Sequence, residues 1–303
     1  MPLLHLIAPS GDPQDQDAVA RAVDYFQEKG WQVKGQSSAL RHFQRFAGTD
    51  DERAAELNAL TKYAQPEFKD SKPDLVMALR GGYGLSRILD RIDFDGLAAA
   101  DLVFIGHSDF TAFTLAYYAL TGKASYSGPM TCFDFGADSP SSFTQHHFWE
   151  LLGAGIDAIK VRVAQPYQFK TEGMLWGGNL TMVSQLVGSR YLPEVKDGIL
   201  FLEDINEHPY RIERAIYQLR EAGILTQQRA MILGQFNGYK LYENDAGYDF
   251  DEMVKHLRSR IDIPLLTDLP FGHVRDKLTL PVGRVAQLDV RQDDGYVLSY
   301  GRI

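Results

Sequence analysis

Leu102-Val-Phe-Ile-Gly-His-Ser-Asp-Phe110 passes from an unbroken apolar run, through a single glycine, into the polar residues His107-Ser108-Asp109. The run is short and rich in branched residues, so it reads as a strand buried on both faces. Residues 109–120 follow with helical character, so Ser108 stands at a strand-to-helix turn. A second stretch has the same form. Leu75-Val-Met-Ala-Leu79 is continuous and apolar, and it stops at Arg80-Gly-Gly-Tyr-Gly84. Further out, residues 3–8 read as a first strand, and 18–29 as a helix with Val19, Ala22, Val23 and Phe26 on one side and Gly30 past its end. Trp31-Gln-Val suggests a strand, 51–63 a helix, and 85–89 the start of another. Strands alternating with helices predict a mostly parallel sheet covered on both faces. Ligands bind beyond the carboxyl ends of such strands, where residues 80–84 and 106–109 lie.

Past residue 135 the pattern loosens. Residues 136–170 hold Ser-Pro-Ser-Ser and His146-His147, with a helix near 148–152, and are expected to connect two domains, 1–135 and 171–303. The second domain reads as α/β again. Helices are expected at 182–187, 209–222 and 250–260. Strands are expected at 199–202, 230–233 and from Pro264, and β-type alternation over 285–303. The fold class is therefore α/β in two domains, the second with a β-rich part.

Composition narrows the partners. The chain has 303 residues, 31 basic and 40 acidic, for a formal net charge of −9. Nucleic acid and anionic membranes favour a basic face, so neither is expected. No window approaches the roughly 18 apolar residues of a membrane span, and the first residues lack a basic leader. A soluble cytoplasmic protein is expected. Cys132 is the sole cysteine and has no adjacent base, so it reads as a buried structural thiol.

Ser108 has two readings. A tight strand–Ser–helix turn exposes a hydroxyl and aims backbone N–H groups at a developing oxyanion, as in a nucleophile elbow. Serine is also a good helix N-cap. The motif is Gly-His-Ser-Asp rather than Gly-x-Ser-x-Gly, so an ordinary α/β-hydrolase is not indicated. The Arg80–Gly84 loop could bring a second N–H donor or be a plain turn; its spacing fits neither common phosphate-binding motif. A serine nucleophile needs a base and an orienter for that base. Among eight histidines, His273 in Leu-Pro-Phe-Gly-His-Val-Arg is the best base, because it lies in a loop beyond a strand. Glu203 ends the 199–202 strand and is the candidate orienter, with Asp204 and Glu207 as rivals. No His-Glu-x-x-His or cysteine cluster is present, and His146-His147 are adjacent rather than i, i+4, so no metal and no cofactor are expected.

Seven motifs in order carry a resemblance: Ile7-Ala-Pro-Ser-Gly11, Arg80-Gly-Gly-Tyr-Gly84, Gly106-His-Ser-Asp109, Ser127-Gly-Pro129, Trp176-Gly-Gly-Asn179, Leu202-Glu-Asp204 and Phe271-Gly-His273. Together they resemble the LD-carboxypeptidases of murein recycling. The resemblance implies a flavodoxin-like or class I glutamine amidotransferase-like first domain, and a Ser–Glu–His triad falling on Ser108, Glu203 and His273. It implies an oxyanion hole from the N–H of Asp109 and of a loop glycine, here Gly82 in preference to Gly81. It also implies a murein tetrapeptide substrate, cleaved between an L-configured diamino-acid centre and terminal D-Ala, and a homodimer. Arg80 is a candidate for the substrate carboxylate, and a structural salt bridge is its other reading. Trp176 and Asn179 are expected in the cleft wall or in a packed turn. Two other functions compete: a related serine amidase cleaving microcin C-type peptidyl-nucleotides, and a murein-peptide binding protein without chemistry.

Overall fold

A computed structural model describes residues 1–153 and 155–303. Two sheets organise the chain. Five strands come from the first part: β1 (Leu3–Ile7), β2 (Gln32–Lys34), β3 (Leu75–Ala78), β4 (Phe104–Gly106) and β5 (Ser125–Ser127). They pair in parallel in the order β5-β4-β3-β1-β2. β3, β4 and β5 are buried at every position, as the central strands of a sheet covered by helices must be, although β5 is Ser-Tyr-Ser rather than apolar. The helices here are α1 (Gln16–Glu28), α2 (Asp50–Asn58), α3 (Phe94–Ala100) and α4 (Thr111–Thr121). Asp15 caps α1 by accepting from Ala18 N, and Ala18, Val19, Ala22 and Phe26 form its buried face.

The stretch 136–170, expected to connect two domains, carries regular elements of its own. It contains a twelve-residue helix, α5 (Ser142–Gly153), whose Phe148 packs on Phe26 and Phe135. It also contains β6 (Ile156–Val161), an edge strand of the second sheet. The other strands of that sheet are β7 (Phe169–Asn179), β8 (Gly198–Ile205), β9 (Gln228–Asn237) and β10 (Leu265–Leu266), then β12 (Arg284–Arg291) and β13 (Gly295–Gly301). β11 (Leu280–Val282) leaves this series and pairs antiparallel with β5, so the far end of the chain completes the first sheet. The seven-stranded order is β10-β9-β8-β7-β12-β13-β6. Its β10-to-β7 half is parallel and the rest antiparallel, which matches the expected α/β part and β-rich part. Helices α6 (Leu180–Gln185), α7 (Pro209–Glu221) and α8 (Phe250–Arg258) follow β7, β8 and β9.

Several expected helices are shorter than their apolar spacing suggests. Residues 59–64 tighten into a 3₁₀ turn after α2, and 85–91 form two 3₁₀ turns in place of a helix. α4 is buried from Thr111 to Tyr117, because it packs on α3 on one side and on β7 and α6 on the other. The helix behind Ser108 therefore lies between the two sheets. That placement brings β4 of one sheet and β8 of the other to a single cleft.

Candidate active site

Ser108 follows β4 with φ +62°, a left-handed conformation that costs a residue with a Cβ about 1 to 3 kcal/mol. Surroundings must hold it there, and they do. A 3₁₀ turn, Ser108–Phe110, leads into α4. The Asp109 carboxylate is turned inward, accepting from Ser10 Oγ at 2.6 Å and from Leu85 N at 3.0 Å. Burial pushes that carboxyl above its usual range, and the Ser10 hydroxyl opposes the shift. The link joins three loops: the one after β1, the glycine loop after β3, and the Ser108 turn. Gly81 lies flat against the serine. A Cβ there would stand 2.7 Å from Ser108 Cβ and 3.0 Å from its Oγ. Gly82 has φ +109°, a turn that glycine makes without strain.

His273 reaches Ser108 from the second sheet. Its Nε2 is 3.0 Å from Ser108 Oγ, and its Nδ1 is 2.8 Å from Glu203 Oε2. Glu203, near the end of β8, is fully buried, and its other oxygen accepts from Asn179 Nδ2 at 3.2 Å. The His273 carbonyl accepts from Asn237 Nδ2 at 2.9 Å, which fixes the loop beyond β10. Ser108, His273 and Glu203 thus form one hydrogen-bonded chain across 165 and 70 residues of sequence separation.

The rivals are placed elsewhere. Asp204 accepts from Thr181 N and Oγ1 at the start of α6 and from Asn179 Nδ2, and its bonds do not include His273. Glu207 lies 3.8 Å from Arg211. His208 caps α7, His147 pairs with Asp157, His42 with Asp12 and His256 with Tyr217. His107 is fully buried beside the site, its ring centroid 4.6 Å from that of His273; neither ring nitrogen makes a hydrogen bond, and Nε2 stands 3.5 Å from Glu203 Oε1. Burial holds it neutral, far below the usual imidazole range, with Lys277 and His273 adding to the effect.

Two expected cleft residues are corrected. Trp176 is fully buried in β7 and donates from Nε1 to Gln228 Oε1 at 2.8 Å. Pairing of β7 with β8 puts its ring in the core rather than in the cleft wall. Asn179 is 5% exposed; it caps α6 and holds Glu203 and Asp204, so its amide has no face left for substrate. Arg80 does line the cleft with Gly81, Gly82, Ser108, Met130 and His273, in a cavity of about 510 Å³. Its guanidinium donates to the Asp12 carbonyl at 2.9 Å. Cys132 lines the same cavity and is half-buried; burial pushes its thiol up to about 12. His107, Glu203 and His273 offer donor atoms within 4.8 Å of one another, enough to consider a cation. Glu203 and His273 already engage each other, Asn179 and Ser108, so a cation would displace those bonds.

Sequence reasoning also missed Ser10 and the role of Asn179. Both lay inside quoted motifs, but nothing local shows which distant side chain each would meet.

The comparisons agree with this frame. Residues 4–128 match the LD-carboxypeptidase N-terminal domain, and residues 172–288 the LD-carboxypeptidase C-terminal domain. The crystal structure of muramoyltetrapeptide carboxypeptidase from Oxalobacter formigenes is 41% identical, covers 99% of this chain and 98% of that one, and superposes with a TM-score of 0.90. This chain belongs to the LD-carboxypeptidase family. Within the family it is 27% identical to the probable murein peptide carboxypeptidase of Bacillus subtilis, over 95% of this chain and 88% of that protein. It is also 27% identical to the microcin C7 self-immunity protein of Escherichia coli, over 89% and 84% of the two chains. Like other LD-carboxypeptidases it is a serine-type carboxypeptidase. No helix among the described residues is long and apolar enough to cross a membrane.

Proposed function

We propose that this LD-carboxypeptidase removes terminal D-Ala from murein tetrapeptides, with Ser108 as nucleophile, His273 as general base and acid, and Glu203 as its orienter. The observation that carries the roles is the unbroken chain Ser108 Oγ–His273–Glu203, at 3.0 and 2.8 Å. Such a chain transfers a proton from hydroxyl to imidazole, while the buried carboxylate steadies the imidazolium. Ser108 Oγ attacks the carbonyl between the L-configured diamino-acid centre and D-Ala. The resulting oxyanion accepts from the N–H of Asp109 and of Gly82. The buried Asp109 carboxylate helps by pinning that turn. His273 then protonates the departing D-Ala amine, leaving an acyl-enzyme on Ser108. Water, deprotonated by the same imidazole, releases the tripeptide.

Arg80 is the candidate partner for the D-Ala carboxylate, because it faces the cleft and a guanidinium binds carboxylate in a planar fork. Support for the murein peptide itself comes from the names borne by relatives that match 82% to 99% of this chain. A cytoplasmic homodimer acting in peptidoglycan recycling belongs to the same reading. The second reading, cleavage of microcin C-type peptidyl-nucleotides, draws on the microcin self-immunity relative and on Phe133, whose exposed ring at the cleft could stack on a base.

A panel separates the two. Murein tetrapeptides with different third residues, and a peptidyl-nucleotide, are incubated with the protein and the products identified. D-Ala release from tetrapeptide, with the nucleotide compound intact, is expected. Cleavage of the nucleotide compound alone would overturn the proposal.

A further inference from the structure

Just past His273 stands a second polar assembly that the reaction above leaves unused. Lys277 is fully buried, and its ammonium lies 3.1 Å from Asp134 Oδ1 and 3.3 Å from Oδ2. The Asp134 side chain is 2% exposed, and its Oδ2 also accepts from Met130 N at 2.7 Å. Burying two charges costs several kcal/mol per ion, and a well-packed apolar pair of similar volume is often as stable or more so. Stability is therefore a weak account of this pair, and its place in the fold is a better one.

Asp134 lies in the turn Thr131–Phe135. Its neighbours Met130, Cys132 and Phe133 line the Ser108 cleft. Lys277 follows His273 by four residues, and its ammonium sits 4.6 Å from the Phe133 ring centroid. The bonds around it run the same way. Thr144 Oγ1 accepts from Lys277 N at 2.9 Å and donates to the Arg275 carbonyl at 2.9 Å. Ser141 Oγ donates to Asp276 Oδ1 at 2.5 Å. Each residue from Arg275 to Lys277 is thus tied to the segment 134–144. A purely apolar contact would keep the loop near the cleft but would let it slide; an ammonium held by both oxygens of one carboxylate resists sliding.

We infer that Asp134 and Lys277 are a positioning pair, fixing the His273 loop to the wall of the Ser108 cleft so that the imidazole keeps its distance to Oγ during the reaction. This rests on the reading of Ser108 and His273 as nucleophile and base. A displacement of about 1 Å in such a group can cost roughly a hundredfold in rate.

The test is the charge-free double variant Asp134→Leu/Lys277→Met, compared with wild type for thermal midpoint, kcat and KM in D-Ala release from murein tetrapeptide. A thermal midpoint close to wild type, a kcat lower by about 10- to 100-fold and a little-changed KM are expected, since a displaced base acts on the transition state rather than on substrate binding. A pair that served stability alone would lower the midpoint and leave kcat intact; wild-type kcat overturns the inference. Should the double variant fail to fold, Asp134→Asn decides. It keeps the shape and an acceptor for Met130 N but removes the charge that holds the Lys277 ammonium, so a several-fold lower kcat is expected and an unchanged one overturns the inference. Ser108→Ala, run in parallel, distinguishes the two levels. Activity retained there defeats the nucleophile reading, whereas a dead Ser108→Ala beside a fully active double variant defeats the positioning pair alone.

Discussion

At the scale of single residues, the site is a set of buried polar groups, each satisfied by a partner far away in sequence. Glu203 illustrates the cost of disturbing one. Its carboxylate is fully buried and shared between His273 and Asn179. Glu203→Gln keeps the size but removes the charge that steadies an imidazolium, and it presents an N–H or a neutral carbonyl to Nδ1. We expect kcat to fall by about 10³- to 10⁴-fold with the fold retained, as judged by circular dichroism and steady-state rates. A loss under tenfold would remove Glu203 from the role.

His107 predicts a pH effect of definite sign. Its folded-state affinity for a proton is held down, first by burial and then by Lys277, relative to an ordinary value of 6.5. Above that value the ring is neutral in both folded and unfolded chains and contributes no slope. Below it the unfolded chain takes up a proton that the folded chain refuses, so stability falls as pH falls, by at most about 1.4 kcal/mol per unit. Urea midpoints of wild type and His107→Phe, followed from about pH 7.5 to about pH 5.5, should therefore shift in favour of the variant at the acid end. Parallel curves would contradict this.

Ser108, Glu203 and His273 were legible as candidates, because each lies at or just beyond the carboxyl end of a recognisable strand. Trp176 and Asn179 were not. Trp-Gly-Gly-Asn reads as a turn, but its pairing with β8 makes it strand, and strand alternation sends the indole into the core. Which face a residue takes depends on a partner strand more than twenty residues away.

Elements rather than residues set the approach of nucleophile and glycine loop. β3 and β4 are neighbours in the first sheet, so the loops that follow them must touch. Gly81 is the point of contact, and its missing Cβ leaves the space that Ser108 occupies. Gly81→Ala puts a methyl 2.7 Å from Ser108 Cβ, well inside contact distance, so either the loop or the serine must shift. We expect a soluble protein with D-Ala release reduced by about tenfold or more; unaltered kcat would show that the loop is not held against the serine. The alternation of strands and helices was readable at this scale. Helix lengths were less so: the apolar spacing of 59–64 and 85–91 resembles helix, yet the chain there tightens into 3₁₀ turns. Around 85–91, loop geometry set by Gly82 and Gly84, both with positive φ, overrides the pattern.

For the whole molecule, the two sheets share elements and so share their stability. β11 is only three residues long, and nothing in Leu-Pro-Val announces that it leaves the second series to pair with β5. Asp134 and Lys277 are separated by 143 residues and were invisible for the same reason. A fragment ending at residue 135 would lack β11 and α5, exposing the β5 edge and the Phe148-facing side of Phe26 and Phe135. We expect fragments 1–135 and 171–303 each to aggregate or remain unfolded, and the intact chain to unfold in one transition by both fluorescence and circular dichroism. Two separated transitions would show that the halves are independent.

All of this converges on the claim that the hydroxyl held at φ +62° by its surroundings is the group that attacks the substrate. The most direct measurement is D-Ala release from a murein tetrapeptide by wild type and by Ser108→Ala at equal concentration, with matching circular dichroism spectra. Steady release by wild type and a loss of at least about 10³-fold in the variant are predicted. Release by Ser108→Ala at a rate near wild type would contradict the account.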